Sequence, residues 1–443
     1  MALTGSLVLW LVGAAALALV ALAACTKNWR RLPAAAGAVL LLCAFTAAAA
    51  NDHFVYWTSW RDLGGLHSPN LTSMSLARVL AERPAPTLVT TIGNRSGSAS
   101  GEPHGRLVRV TLTGARSGIH RDGLVYLPPE YFLSSWQHVQ FPVVELLHGS
   151  PGIPNDWING LRADTTAELS ARRSGGGPVV VVIPDTNGGR FTDYECQDSL
   201  RGPDETYLSS DVHDWITQRI RVRTDPAGWV LAGYSTGGYC AVNLLDHHPE
   251  LYAGAASMDG YFAALQDRYT GDLYGGSRTR RERNSPLAQW QATPPAPHRA
   301  FLLLAGGQDD SLSDTLHFAS VVRRSRTAHV LVAVQAGAGH NFSSWRTMLP
   351  TVFSWAWSIL QTPALDALLH RQPADLTQAG LQLAAPECQA PNGGLRHVAV
   401  CKARPGHHWY RTTPAPPITA HRRTETSPVG VASHPPLSLQ TRT

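Results

Sequence analysis

Lysine is almost missing from this chain. Lys27 and Lys402 are the only two among 37 basic residues. Together with abundant alanine and proline, the arginine bias points to a GC-rich bacterial genome and carries no chemistry. A net excess of basic charge is also missing from the body. Lys402 to Thr443 holds six basic residues and one acid, and Lys27, Arg30 and Arg31 add +3 near the start. The net charge is +5, so the stretch from Leu32 to Cys401 is about −3 by subtraction. A nucleic-acid binder displays its basic residues on a folded face, which excludes nucleic acid as a partner. Cysteine is sparse, with six residues and no C-x-x-C pair, so a thiolate zinc site is excluded. No internal repeat is present.

Charge is absent from the side chains of residues 1 to 26, and "GSLVLWLVGAAALALVALAA" supplies a bilayer's length of apolar sequence. A second uncharged run, Leu32 to Asn51, follows the connector "CTKNWRR". Backbone polar groups in lipid must bond internally, so both runs are expected to be helical. The basic connector belongs in the cytoplasm, which places the body after Asn51 outside. Two rivals remain. "LAAC" at Leu22–Cys25 matches a lipoprotein cleavage box, and the second run with its "RR" start reads as a signal peptide. All three put the body beyond the membrane. Disulfides persist there, and Cys196–Cys240 and Cys388–Cys401 are the favoured pairs, with free buried thiols as the alternative.

The body divides into a linker (52–105), a folded domain (106–362), an extension (363–403) and a tail (404–443). In the folded domain, "LVRVTLTG", "DGLVYLPP", "FPVVELLHG", "GPVVVVIPD", "GWVLAGYS", "RAFLLLAGG" and "HVLVAVQAG" read as strands. The fully apolar runs suit strands buried on both faces of a parallel sheet. Helical segments alternate with the later strands: "NDWINGLRADTTAELSARR", "YLSSDVHDWITQRI", "GGYCAVNLLDHH" and "SDTLHFASVVRRSR". That alternation predicts an α/β sheet with right-handed crossovers. "ALDALLHR" in the extension reads as a short helix. The tail, rich in Pro, Thr and Arg, reads as disordered.

Gly233-Tyr234-Ser235-Thr236-Gly237 matches G-x-S-x-G between a strand and a helix. The motif needs small residues at both ends, because the serine sits on a sharp, strained turn. A serine hydroxyl needs an adjacent base oriented by an acid. The expected chain order is serine, acid, histidine. "FLLLAGGQDD" offers Asp309 and Asp310 after a strand, and the G-x-x-D spacing from Gly307 favours Asp310. "VLVAVQAGAGHNF" offers His340 in a glycine-rich loop after the last strand. Backbone amides of Thr236 and Ser150 are the expected oxyanion donors. His148 is expected to hold the turn before Ser150. His148, Tyr234, Phe342 and Trp345 are candidate substrate-pocket residues. His247-His248 and His407-His408 lie at a helix end and in the tail, so no metal or cofactor is expected.

These residues together resemble the esterase D-like branch of the α/β-hydrolases, which includes S-formylglutathione hydrolase, feruloyl esterases and the secreted mycolyltransferase antigens. The resemblance covers roughly Leu107 to Leu360 and rests on "LLHG", "GYSTGGYCAVNL", "GGQDD" and "GHNFSSW". Thr236 departs from the methionine often found after the nucleophile. An aspartate as the acid follows the esterases rather than the mycolyltransferases. The resemblance implies acyl transfer through an acyl-serine and leaves the acceptor open. The expectation is therefore a membrane-anchored extracytoplasmic serine esterase, with an acyltransferase to a sugar hydroxyl as the alternative. Its expected partners are the membrane and an ester, such as a lipid or glycolipid of the cell envelope. A catalytically inactive, envelope-binding hydrolase fold is the contrasting class.

Overall fold

The computed structural model describes residues 6–25, 29, 31–54, 76–80, 105–173, 176–267, 270–292, 299–325, 328–360, 388–389, 398–403 and 407–412. Two apolar helices come first, α1 (Ser6–Cys25) and α2 (Arg31–Phe54). They pack on each other: a Cβ on Gly37 would lie 2.9 Å from Leu19, and one on Gly13 would lie 3.3 Å from Phe45. Leu32–Asn51 is long and apolar enough to cross a membrane by length and composition, whereas Leu9–Cys25 is apolar but shorter. Within the linker, Leu76–Leu80 forms a short helix; most of the remaining linker lies outside the described residues.

The body is built on one sheet. Its strands are β1 (Arg106–Thr113), β2 (His120–Leu127), β3 (Val143–Leu147) and β4 (Val180–Pro184), followed by a small separate hairpin, β5 (Asp198–Ser199) and β6 (Gly202–Pro203). The main sheet continues with β7 (Trp229–Tyr234), β8 (Gly254–Met258), β9 (Arg299–Gly306), β10 (Ala328–Gln335), β11 (Cys388–Gln389), β12 (Val398–Ala403) and β13 (His407–Thr412). The order is β1-β2-β4-β3-β7-β8-β9-β10-β13-β12-β11. From β4 to β10 every neighbouring pair is parallel; β2 runs antiparallel to both β1 and β4.

β3, β4, β7 and β8 are buried at every position, as strands covered on both faces must be. The covering helices include α3 (Pro154–Asn159), α4 (Ala163–Ala171), α5 (His213–Arg219), α6 (Thr236–His247), α7 (Arg278–Arg283), α8 (Pro286–Ala292), α9 (Leu312–Val322) and α10 (Phe342–Leu360). A π-helical stretch, Tyr207–Val212, leads into α5. The segment expected as one helix after β3 is two, because Arg162 adopts φ 55° between α3 and α4.

The chain steps from β3 to β4 on one side and then crosses to β7 on the other side of β3, so the sheet reverses its winding between β3 and β7. Open α/β sheets bind ligands at such a point, outside the carboxyl ends of the strands. Leu147 of β3 pairs with Gly233 of β7, which brings the "LLHG" and "GYSTG" segments side by side.

Two further expectations change. β8 was not anticipated; its sequence, "GAASM", has weak strand propensity. In the tail, 407–412 forms a strand rather than lacking structure: "HHWYRT" is rich in strand formers, and Tyr410 and Trp409 pair with Val334 and Gln335 of β10. Cys388 is in antiparallel register with Cys401; their side chains lie outside the described residues, as does "ALDALLHR".

Candidate active site

β7 delivers Ser235 into a forced turn. Ser235 has φ 54° and ψ −127°, a strained conformation for a residue with a side chain. Tight packing explains the flanking glycines: a Cβ on Gly233 would lie 2.0 Å from the Gly237 carbonyl oxygen, and one on Gly237 2.0 Å from that of Leu147. The Ser235 amide donates to the Met258 carbonyl at 2.9 Å, tying the turn to the end of β8. α6 begins at the next residue, so helix N–H groups face the serine.

His340 lies in the loop after β10. Its Nε2 is 2.9 Å from Ser235 Oγ, and its Nδ1 is 2.9 Å from Asp309 Oδ2. His340 is exposed and Ser235 half-buried, so a substrate can reach both. Partial desolvation by the surrounding groups opposes charge on His340, but the hydrogen bond with Asp309 and its negative charge outweigh it and raise the imidazole pKa above its ordinary value. Burial likewise opposes charge on Asp309; His340 and the Ser311 amide overcome it and hold the carboxyl below its usual range.

The partner of His340 is therefore Asp309, which corrects the preference for Asp310. The turn starts one residue earlier than the G-x-x-D spacing from Gly307 suggested. Gly306 packs so closely that a Cβ would lie 2.5 Å from the Ala338 carbonyl oxygen. The Asp309 amide donates back to the Gly306 carbonyl at 3.2 Å. Asp309 is buried and Asp310 faces solvent.

The turn after β3 closes on the serine. A Cβ on Gly149 would lie 3.0 Å from Ser235 Cβ. The following Ser150–Pro151 bond is cis, and the Ser150 hydroxyl donates to the Thr192 carbonyl at 3.1 Å. His148 is fully buried. Its Nδ1 lies 2.9 Å from the Gly149 carbonyl oxygen, and its Nε2 accepts from the Thr186 amide at 3.1 Å. These contacts on both ring nitrogens pin the turn through His148.

The pocket expectation is corrected for most of its members. Tyr234 stacks on Trp345 at 4.5 Å and meets Trp157 and Phe342 edge-on at 5.1 and 5.5 Å. Tyr234 and His148 are 1% and 0% exposed, and Trp345 only 4%. Aromatic rings gain more from packing on one another than from facing water, so these side chains support the turn instead of lining an opening. Phe342, 8% exposed, belongs to the same cluster.

The loop after β4 packs against the start of α6. The expected Cys196–Cys240 disulfide is present and ties this loop to α6. The Thr236 hydroxyl donates to Asp193 Oδ2 at 3.1 Å. Glu195 accepts from Tyr261, Leu265 and Tyr274 at 3.0, 2.8 and 2.6 Å. Burial pushes Asp193 to about 6 and Glu195 to about 7.

Sequence reasoning missed Asp259, the residue after β8. It is buried, and its carboxylate lies with Asp309 and His340 in a group whose facing atoms are all within 4.8 Å of one another. The D-G pair at Asp259-Gly260 was the available signal, hidden because the strand before it was not seen.

A mostly parallel sheet carrying a serine on a strained positive-φ turn, opposite a histidine and a carboxylate, defines the α/β-hydrolase class. Residues 115–356 match the family model "Esterase: Putative esterase", and the chain belongs to that family. It is a hydrolase or acyltransferase of this esterase branch. An uncharacterized protein of Corynebacterium glutamicum is 30% identical over 327 residues, covering 70% of this chain and 72% of its own length. The MPT51/MPB51 antigen of Mycobacterium tuberculosis is 26% identical over 39% of this chain, and the match spans 56% of that antigen. A ferulic acid esterase superposes with a TM-score of 0.51 at 18% identity, covering 58% of this chain and all 100% of its own. The S-formylglutathione hydrolase of Agrobacterium tumefaciens gives 0.50 at 17%, covering 58% and 96%. At those identities the two structures speak to fold alone.

Proposed function

We propose that the protein is a serine esterase that cleaves carboxylic esters through an acyl-serine intermediate. The observation that carries this reading is the continuous line from Ser235 Oγ through His340 to Asp309, with two 2.9 Å links, on a strained turn at the head of a helix. Ser235 Oγ attacks the ester carbonyl while its proton passes to His340 Nε2. Asp309 stays ionised, holds Nδ1–H and stabilises the imidazolium. The amides of Thr236 and Ser150 receive the oxyanion. The tetrahedral intermediate expels the alcohol, which takes the proton from His340. Water, deprotonated by His340, then attacks the acyl-serine, and the acid leaves as Ser235 regains its proton.

The body acts outside the membrane, held by α1 and α2 with the basic connector on the cytoplasmic side. The apolar run Leu32–Asn51, the α1–α2 packing and the disulfide in the body support this placement. An ester of an envelope lipid or glycolipid is the substrate class within reach of such an anchor. Hydrolysis of short-chain chromogenic esters by wild type and Ser235→Ala tests the reading. A loss of about 10⁶-fold in kcat is expected; equal rates would remove it.

A further inference from the structure

A second carboxylate stands beside the Ser235–His340–Asp309 line. β8 ends at Met258, whose carbonyl accepts from the Ser235 amide. The next residue, Asp259, turns left-handed at φ 50° and is 1% exposed. Its amide donates to the Leu304 carbonyl of β9 at 2.8 Å. Its Oδ1 accepts from the Gly306 amide at 2.6 Å, and its Oδ2 accepts from Trp345 Nε1 at 2.7 Å. Both donors bear on the histidine. Gly306 starts the turn that carries Asp309, and Trp345 meets the His340 ring edge-on at 5.0 Å and 86°. A carboxylate oxygen has two lone pairs, so each Asp259 oxygen keeps one acceptor site after these bonds. That carboxylate, Asp309 and a His340 ring nitrogen all lie within 4.8 Å of one another.

We propose that Asp259 is a positioning residue for His340 that steadies the histidine loop through Gly306 and Trp345 and takes over the Nδ1–H bond when Asp309 is removed. The inference rests on Ser235 acting as the nucleophile. The charged groups facing Asp259 are Asp309 from the turn after β9 and His340 from the loop after β10; Asp310 acts on His340 from the solvent side. Burial first, and Asp309 second, push Asp259 up to about 7. Removing the Asp309 carboxylate relieves the like-charge term, leaves space beside Nδ1 and favours an ionised Asp259.

Measuring kcat/KM for ester hydrolysis by the full chain tests this. Complete loss of the orienting acid costs about 10⁴-fold. Asp309→Ala is expected to lose only about 10²-fold, and Asp259→Asn in that background a further 10²-fold or so, by the same reference. In an otherwise wild-type protein Asp259→Asn should cost under about 10-fold, since Asp309 still serves. Trp345→Phe keeps the carboxylate and removes the indole donor, so it should cost the same factor with and without Asp309. Equal costs of Asp259→Asn in both backgrounds overturn the inference. So does an Asp309→Ala/Trp345→Phe protein as slow as Asp309→Ala/Asp259→Asn, because Asp259 would then act only by holding the indole.

The pH profile of Asp309→Ala needs no second substitution and decides the matter if the double variant fails to fold. An ionised Asp259 keeps the acid limb of kcat/KM above about 6.5, the ordinary imidazole value. A limb below that value, set by burial alone, overturns the inference. Ser235→Ala in the same assay separates the claims: an active Ser235→Ala protein removes the nucleophile reading, whereas an inactive one with additive Asp259→Asn effects removes only the role of Asp259.

Discussion

The difference between Asp309 and Asp310 shows how much one residue of register decides. Both follow an apolar strand, and both lie in a glycine-rich turn. What selects Asp309 is the close approach of Gly306 to the Ala338 backbone, a contact between two loops distant in sequence. No local pattern contains that information. Asp309→Ala is expected to lower kcat/KM by about 10²-fold, a loss of about 2.7 kcal/mol in transition-state stabilisation. Asp310→Ala should stay within about threefold, since an exposed charge is screened. Steady-state kinetics of the two variants checks this. The serine, the histidine and the flanking glycines were legible because the turn itself dictates their types. The role of His148 as a holder of its turn was legible too. The packing role of Tyr234 and Trp345 was not, since the same aromatic residues suit a pocket or a core.

Strands with continuous apolar runs announced themselves, and their alternation with helices gave the layered architecture. β8 stayed hidden because Ala255 and Ala256, both fully buried between β7 and β9, carry little strand preference. Its absence from the sequence reading also hid Asp259. Two ties between elements make predictions. Cys196–Cys240 closes a separation of 44 residues, and the loop-entropy estimate for such a closure is about 4 kcal/mol. Reducing it should lower stability by about 2–4 kcal/mol and depress activity, because the tethered loop carries Asp193 against Thr236; urea unfolding with and without reductant measures the first effect.

The second tie is Glu205, which lies 2.9 Å from both His247 Nδ1 and His248 Nε2 at the end of α6. Burial opposes all three charges, but their mutual bonds win: Glu205 falls to about 2 and both histidines rise above 6.5. The histidine contribution is full below their unfolded value of 6.5 and is lost as pH rises through the raised folded values. The Glu205 contribution is full above its unfolded 4.5 and is lost as pH falls toward about 2. The cluster therefore stabilises most between about 4.5 and 6.5. Glu205→Gln should cost about 2 kcal/mol at pH 5.5 and less at pH 9, read from thermal or urea unfolding at both values.

For the whole molecule, charge and hydropathy divide the chain before any fold is known: an uncharged start, a basic connector, a weakly acidic body and a basic tail. The family match covers the body alone, residues 115–356. The two N-terminal apolar helices and the strands β12 and β13 lie beyond it. The β13 strand was illegible because its short run sits in a Pro- and Arg-rich context, and its meaning comes from pairing with β10, distant in sequence. Protease added outside intact bacterial cells or spheroplasts should degrade the body of the membrane-bound full chain. Protection until the membrane is permeabilised would place the body on the cytoplasmic side and remove the proposed topology.

The central claim is tested most directly by treating the full chain with a fluorophosphonate and locating the adduct by peptide mass spectrometry. A single phosphonylated site at Ser235 is expected, abolished in Ser235→Ala and strongly slowed in His340→Ala. An unmodified Ser235 in protein that is folded, or modification unaffected by loss of His340, would contradict a serine activated by that histidine.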